Sequence, residues 1–179
     1  MLIDRARSLL VIIDIQARIL PAMENAEALL KNALTLRDAA GAVGVSVVIT
    51  EQYPAGLGST LPAIAQGGDA PVFEKREFSA FQNPEFAAWL KARPERQMIL
   101  AGIEAHVCVL QTALDLVDAG YDVFLVADAV ASRRAESRAI ALDRLQAAGI
   151  HLVTSEMVAF EWLRTAADPA FRAVSKLVK

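Results

Sequence analysis

Short unbroken apolar runs alternate along the chain with stretches in which apolar residues recur every three or four positions. Ser8–Asp14 (SLLVIID) has strand length and no polar break before Asp14, the pattern of a strand buried on both faces. After Pro21, residues Ala26, Leu29, Leu30, Ala33 and Leu34 fall on one side of a helix, with Gly41 and Gly44 as stops. Val45–Thr50 (VSVVIT) is a β-branched second strand, followed by a Gly- and Pro-containing loop, EQYPAGLGSTLP. APVFEK predicts a third strand ending at Lys75, and NPEFAAWLKA a short helix with Asn83 as cap and Pro84 in first position. Gln97–Gly102 (QMILAG) is a fourth buried strand. The helix after Cys108 buries Val109, Ala113, Leu116 and Val117 and closes at Gly120. Asp122–Asp128 is a fifth strand, SRRAESRAIALDRLQAAG a helix capped by Ser132 and stopped by Gly149, and His151–Ser155 a sixth strand before a helical C-terminus.

Strands alternating with helices of this length predict an α/β fold: a parallel sheet covered by helices on both faces and joined by right-handed connections. No repeat, low-complexity segment or long linker interrupts the pattern, so residues 1–179 are read as a single domain. With 55% hydrophobic and 22% charged residues the composition is globular, and a mixed net charge of -3 gives no general attraction to nucleic acid or an anionic membrane. The single cysteine cannot form an internal disulfide, which favours a reducing compartment. No apolar stretch approaches the roughly 20 residues that span a bilayer. The first apolar run is short, follows Asp4, Arg5 and Arg7, and leads into Asp14, unlike a signal peptide. A cytoplasmic location is the expectation.

In open parallel sheets ligands bind beyond the carboxyl ends of the strands. Asp14 ends the first strand, Lys75 the third, and Cys108 follows the fourth, so an acid, an amine and a thiol converge on one edge. Each has a plainer reading: Asp14 as a loop hydrogen-bonder, Lys75 as part of a solvated charge run, Cys108 as a small buried hydrophobe. Placed in the first turn of a helix and beside Lys75, Cys108 would have a lowered pKa and thiolate character. His106, two residues upstream on the same turn, is poorly separated to act as its base and is read as a loop residue at the pocket entrance. Gln16, Gln52, Tyr53 and Phe78 complete the candidate pocket, with Phe81 a second aromatic wall. Arg133 and Arg134 follow the fifth strand as a solvated helix start or a carboxylate-binding pair. No metal-ligand cluster surrounds either histidine, His106 or His151. No GxGxxG follows the first strand, where the residues are DIQARI.

The segments LLVIIDIQ, TEQYPAGLGST, FEKREFSAF, GIEAHVCVLQTALDLVDAGYDVFLVADAVASR and TSEMVAFEWL together resemble the isochorismatase-like cysteine hydrolases, over nearly the whole chain. The resemblance implies a three-layer, Rossmann-like fold with a six-stranded parallel sheet in the order 3-2-1-4-5-6. It also implies a catalytic Asp, Lys and Cys at Asp14, Lys75 and Cys108, and a cis peptide at Ile103–Glu104. The backbone N–H groups of Glu104 and Cys108 would then form an oxyanion hole. The loop EQYPAGLG lacks the histidine of metal-dependent nicotinamidases, so neither a metal nor a cofactor is expected. Cys108 points away from the vinyl-ether reaction of true isochorismatases, which does not use the cysteine. The expected function is metal-independent hydrolysis of a small amide or related C–N bond through a Cys108 thioester, by a homo-oligomer that binds a small molecule. The alternative is a non-catalytic or redox-sensing protein using a low-pKa Cys108.

Overall fold

A computed structural model describes residues 1–66 and 69–179. Six strands pair in parallel: β1 (Ser8–Ile13), β2 (Ser46–Gln52), β3 (Val72–Lys75), β4 (Gln97–Ile103), β5 (Asp122–Ala131) and β6 (His151–Val153). Their order is β3-β2-β1-β4-β5-β6. The helices are α1 (Ala26–Val43), α2 (Pro54–Leu57), α3 (Pro62–Ala65), α4 (Pro84–Lys91), α5 (Leu110–Asp118), α6 (Ala135–Ala147), α7 (Ser155–Leu163) and α8 (Phe171–Leu177). The expected α/β architecture and strand order are both present.

Alternation along the strands divides the core in two. Leu10, Ile12, Ile49, Ile99 and Phe124 pack with α1, α7 and α8 through Leu29, Leu36, Trp162 and Val174. Leu9, Val11, Val48, Met98 and Leu125 pack with α4, α5 and α6 through Phe86, Leu90, Leu116 and Leu145. All six residues of β1, at the centre, are buried, which is why its sequence has no polar alternation.

Several boundaries move. β2 runs on to Gln52, β4 to Ile103 and β5 to Ala131, and β6 stops at Val153 because Thr154 caps α7, accepting from the Met157 N–H at 3.2 Å. Ser132 does not cap α6: that helix starts at Ala135 with Arg134 in the cap position, and Ser132 is buried against His106. Leu30, Leu34 and Val117 are half-buried, and Ala33, Leu36, Ala39 and Ala40 are the positions of α1 that reach full burial. Among the described residues no helix is long and apolar enough to cross a membrane.

Asn83 does cap α4. Its Oδ1 accepts from the N–H groups of Glu85 (3.1 Å) and Phe86 (3.0 Å), while Nδ2 donates to the Glu74 carbonyl on β3 at 3.3 Å. Asn83→Ala is expected to lower stability by about 1 kcal/mol, read as a lower urea midpoint with an unchanged slope. An unmoved midpoint would mean that these bonds contribute nothing net.

Candidate active site

β1 pairs with β2 and β4 so that Ile13 lies opposite Thr50 on one side and Gly102 on the other. The chain then leaves the sheet: Asp14 has a left-handed backbone, φ 54°, which a short polar side chain tolerates better than most. Its N–H donates to the Thr50 carbonyl at 3.1 Å. The turn directs the Asp14 carboxylate back to the strand ends. Oδ1 accepts from Thr50 Oγ1 and Oδ2 from Lys75 Nζ, both at 2.7 Å. The Asp14 and Lys75 side chains are only 4% and 1% exposed, so this is an ion pair removed from water.

Lys75 lies opposite Gln52 in the β2–β3 register. Its ammonium meets four acceptors: Asp14 Oδ2 and Gln52 Oε1 at 2.7 Å, the Phe78 carbonyl at 3.2 Å and the Glu77 carbonyl at 3.3 Å. An ammonium has three protons, so it is saturated.

Cys108 is 7% exposed and packs with Val109, Leu110 and Ala105. It precedes α5 within a wide turn, Ala105–Val109, in which the Val109 N–H reaches the Glu104 carbonyl at 3.2 Å. The peptide bond Ile103–Glu104 at the head of this turn is cis. Sγ lies 3.9 Å from Gln52 Oε1.

The expectation of a lowered thiol pKa is overturned. Burial pushes Cys108 up to about 12, the Asp14 charge adds to the rise, and the Lys75 ammonium only partly opposes it. The direction favours a neutral thiol and runs opposite to the low-pKa group that the redox-sensing alternative invokes.

The remaining predicted residues separate. Gln16 is fully buried; its amide accepts from the Gln52 N–H (2.7 Å) and donates to the carbonyls of Gln52 (3.0 Å) and Gly58 (2.5 Å). It fastens the loop after β2 rather than offering a group to a ligand. Gln52 is at the centre of the cluster. Tyr53 is 45% exposed, carries the Arg76 guanidinium on its ring, and lines a cavity of about 320 Å³ together with Lys75, Glu77 and Asn83. Phe78 is 53% exposed and lies outside that lining, as do Gln16, Gln52, His106 and Cys108. His106 Nδ1 is 2.9 Å from Ser132 Oγ, a partnership that leaves no role as base for the thiol on that nitrogen. Arg133 does bind a carboxylate, that of Glu104, through its N–H at 3.1 Å and Nε at 3.0 Å. Another cavity, about 310 Å³, opens at the amino ends of β2 and β3 between Arg37, Ser46, Pro71 and Trp89, away from the cluster. Among the described residues no three His, Cys, Asp or Glu side chains are grouped to hold a metal ion. Sequence reasoning missed Thr50; its place opposite the last residue of β1 was the available signal.

The Isochorismatase domain family matches residues 8–157. The chain is 39% identical to isochorismatase domain-containing protein 1 of Danio rerio over 167 residues, 93% of this chain and 59% of that protein. It thus spans little more than half of that relative. Among solved structures, MAR1 ribonuclease from Caenorhabditis elegans superimposes with a TM-score of 0.94 at 35% identity, covering 99% of this chain and 92% of the other. The YcaC product of Escherichia coli, described as an octameric hydrolase of unknown specificity, gives 0.94 at 28% identity, covering 99% and 90%.

Proposed function

The chain belongs to the isochorismatase domain family, and from that premise we propose that it is a metal-independent cysteine hydrolase of a small amide or related C–N bond. What supports the reading is one observation: a carboxylate, an ammonium and a thiol from three separate strand ends form one connected cluster, with Lys75 Nζ 2.7 Å from both Asp14 Oδ2 and Gln52 Oε1 and Cys108 Sγ 3.9 Å from that same Gln52 oxygen.

The steps follow from the groups. The neutral Cys108 thiol passes its proton to Asp14 as Sγ attacks the amide carbon, and the carbonyl π pair moves to oxygen. The N–H groups of Glu104 and Cys108 hold that oxyanion; one such donor is worth about 2.7–4 kcal/mol in related chemistries. Asp14 returns the proton to the departing nitrogen, the C–N bond breaks, and a thioester remains. Asp14 then takes a proton from water as the water oxygen attacks the thioester; the C–S bond breaks, Asp14 passes that proton to the departing sulfur, and a carboxylic acid leaves with the thiol regenerated. Lys75 pairs with Asp14 at 2.7 Å in a buried setting where a lone carboxylate would be costly.

The C. elegans neighbour is named a ribonuclease. A net charge of -3 offers no general hold on a phosphate backbone, and we do not extend that activity to this chain. The octameric E. coli neighbour supports a homo-oligomer here as well.

The test is a screen of small primary and secondary amides, with the protein untreated and after alkylation with iodoacetamide. Hydrolysis that disappears on alkylation is the expected result. Hydrolysis that survives complete modification of the only cysteine would rule out the covalent route.

A further inference from the structure

Gln52 is fixed by chemistry rather than by shape. The atom 2.7 Å from Lys75 Nζ must be an acceptor, because an ammonium only donates, and the atom 2.9 Å from the Arg76 carbonyl must be a donor, because that oxygen only accepts. The carboxamide is thereby locked with Oε1 facing both Lys75 Nζ and, at 3.9 Å, Cys108 Sγ. A thiol can donate to that oxygen. A thiolate at the same place would face a lone pair and receive nothing. The same oxygen also occupies one of the three protons of Lys75, the cation best able to stabilise a thiolate. The Gln52 backbone is held separately by Gln16, on both its N–H and its carbonyl, so the segment keeps these ties whatever the side chain.

From this we propose that Gln52 is a positioning residue that keeps Cys108 in its neutral thiol form, by presenting an acceptor to the sulfur and by engaging the Lys75 ammonium. The inference rests on the hydrolase reading for its catalytic meaning, because a site held in this form takes the thiol proton only as attack begins. The charged groups bearing on Cys108 are Asp14 and Lys75. The other buried carboxylates of the neighbouring segments are engaged elsewhere: Glu51 accepts from the Thr60 N–H at 2.6 Å and Glu104 from Arg133. His106 pairs with Ser132.

The experiment is the rate of iodoacetamide alkylation at Cys108, measured from pH 7 to 10 by intact mass, in the wild type, Gln52→Met and Gln52→Glu. Gln52→Met removes the acceptor from the sulfur and the closest neutral acceptor from Lys75; alkylation at fixed pH should rise by about tenfold, one pH unit of thiol acidity. Gln52→Glu retains the acceptor and adds a negative charge; alkylation should fall by a similar factor. A residue that merely braced the loop would expose the thiol in both variants and accelerate both, so shifts in the same direction, or none, would overturn the proposal. Were Gln52→Met unable to fold, Gln52→Glu alone decides: slower reaction sustains the role and equal or faster reaction removes it. Alkylation needs no substrate, so this readout is independent of whether amides are turned over. A failed amide screen with opposite shifts would sink the hydrolase reading and leave Gln52 in place; hydrolysis with unmoved rates would do the reverse.

Discussion

Cys108→Ala is expected to abolish amide turnover, by on the order of 10⁴-fold or more, with the fold retained. In the proposed route the sulfur carries the acyl group, and neither Asp14 nor Lys75 can replace it while each binds the other at 2.7 Å. The structural cost is small: one buried atom is removed from a small side chain, about 1 kcal/mol by analogy with other single-group core deletions. Steady-state kinetics and a urea melt check the two halves. Full activity in the variant would end the covalent mechanism, and loss of the fold would make the activity result uninformative about chemistry. The same pair of proteins carries a pH signature. Burial raises the Cys108 pKa to about 12 in the folded protein, so the unfolded chain ionises first as pH rises. The wild type therefore binds more protons folded than unfolded across that window. Its stability relative to Cys108→Ala is intact below the ordinary thiol pKa and falls as pH climbs towards about 12. Urea midpoints that run parallel with pH in the two proteins would contradict a buried neutral thiol.

Gly102→Ala is expected to be the most damaging single substitution for stability. Gly102 has φ 131°, a region that residues with a side chain avoid, and it is paired with β1 at Ile13. A Cβ there would lie 2.0 Å from the Ile13 carbonyl oxygen and 2.7 Å from the Ile13 carbonyl carbon and nitrogen. These are backbone atoms of the central strand, so no side-chain rotation relieves the overlap. Backbone strain and overpacking together should lower stability by about 3 kcal/mol or more, and separating β1 from β4 at this point also displaces Asp14 from Cys108. Denaturant melts should show a large drop in midpoint. A midpoint within error of the wild type would show that the two strand ends can part without penalty.

Much of this was legible in the residues because the physics is local. SLLVIID reads as a doubly buried strand since its five central residues are all apolar, and Asn83-Pro84 reads as a helix start because a capping side chain followed by a proline suits the first turn. The edge on which Asp14, Lys75 and Cys108 emerge follows from parallel strands alone. What could not be read was the consequence of side chains meeting across long separations. Ser132 has the composition of a cap, but β5 extends to Ala131 and carries it into contact with His106. Gln16 has the spacing of a pocket residue, but its amide is consumed by the loop after β2. The thiol pKa was misjudged for the same reason. Proximity to Lys75 and a helix start argue for thiolate, yet desolvation depends on how much surrounding chain covers Cys108, and the Lys75 charge is already matched by Asp14.

The strand order has a consequence for biosynthesis. β1 lies in the middle of the sheet but is translated first, and its partner β2 follows soon after, with β3 next to it. β4 emerges last of these four, so one flank of β1 waits for roughly half the chain. Asp14, Thr50, Gln52 and Lys75 all leave the ribosome before Cys108. The Asp14–Lys75 pair can be assembled as a finished receptor before Cys108 has been made, and the sulfur is fitted into it only when the sheet closes.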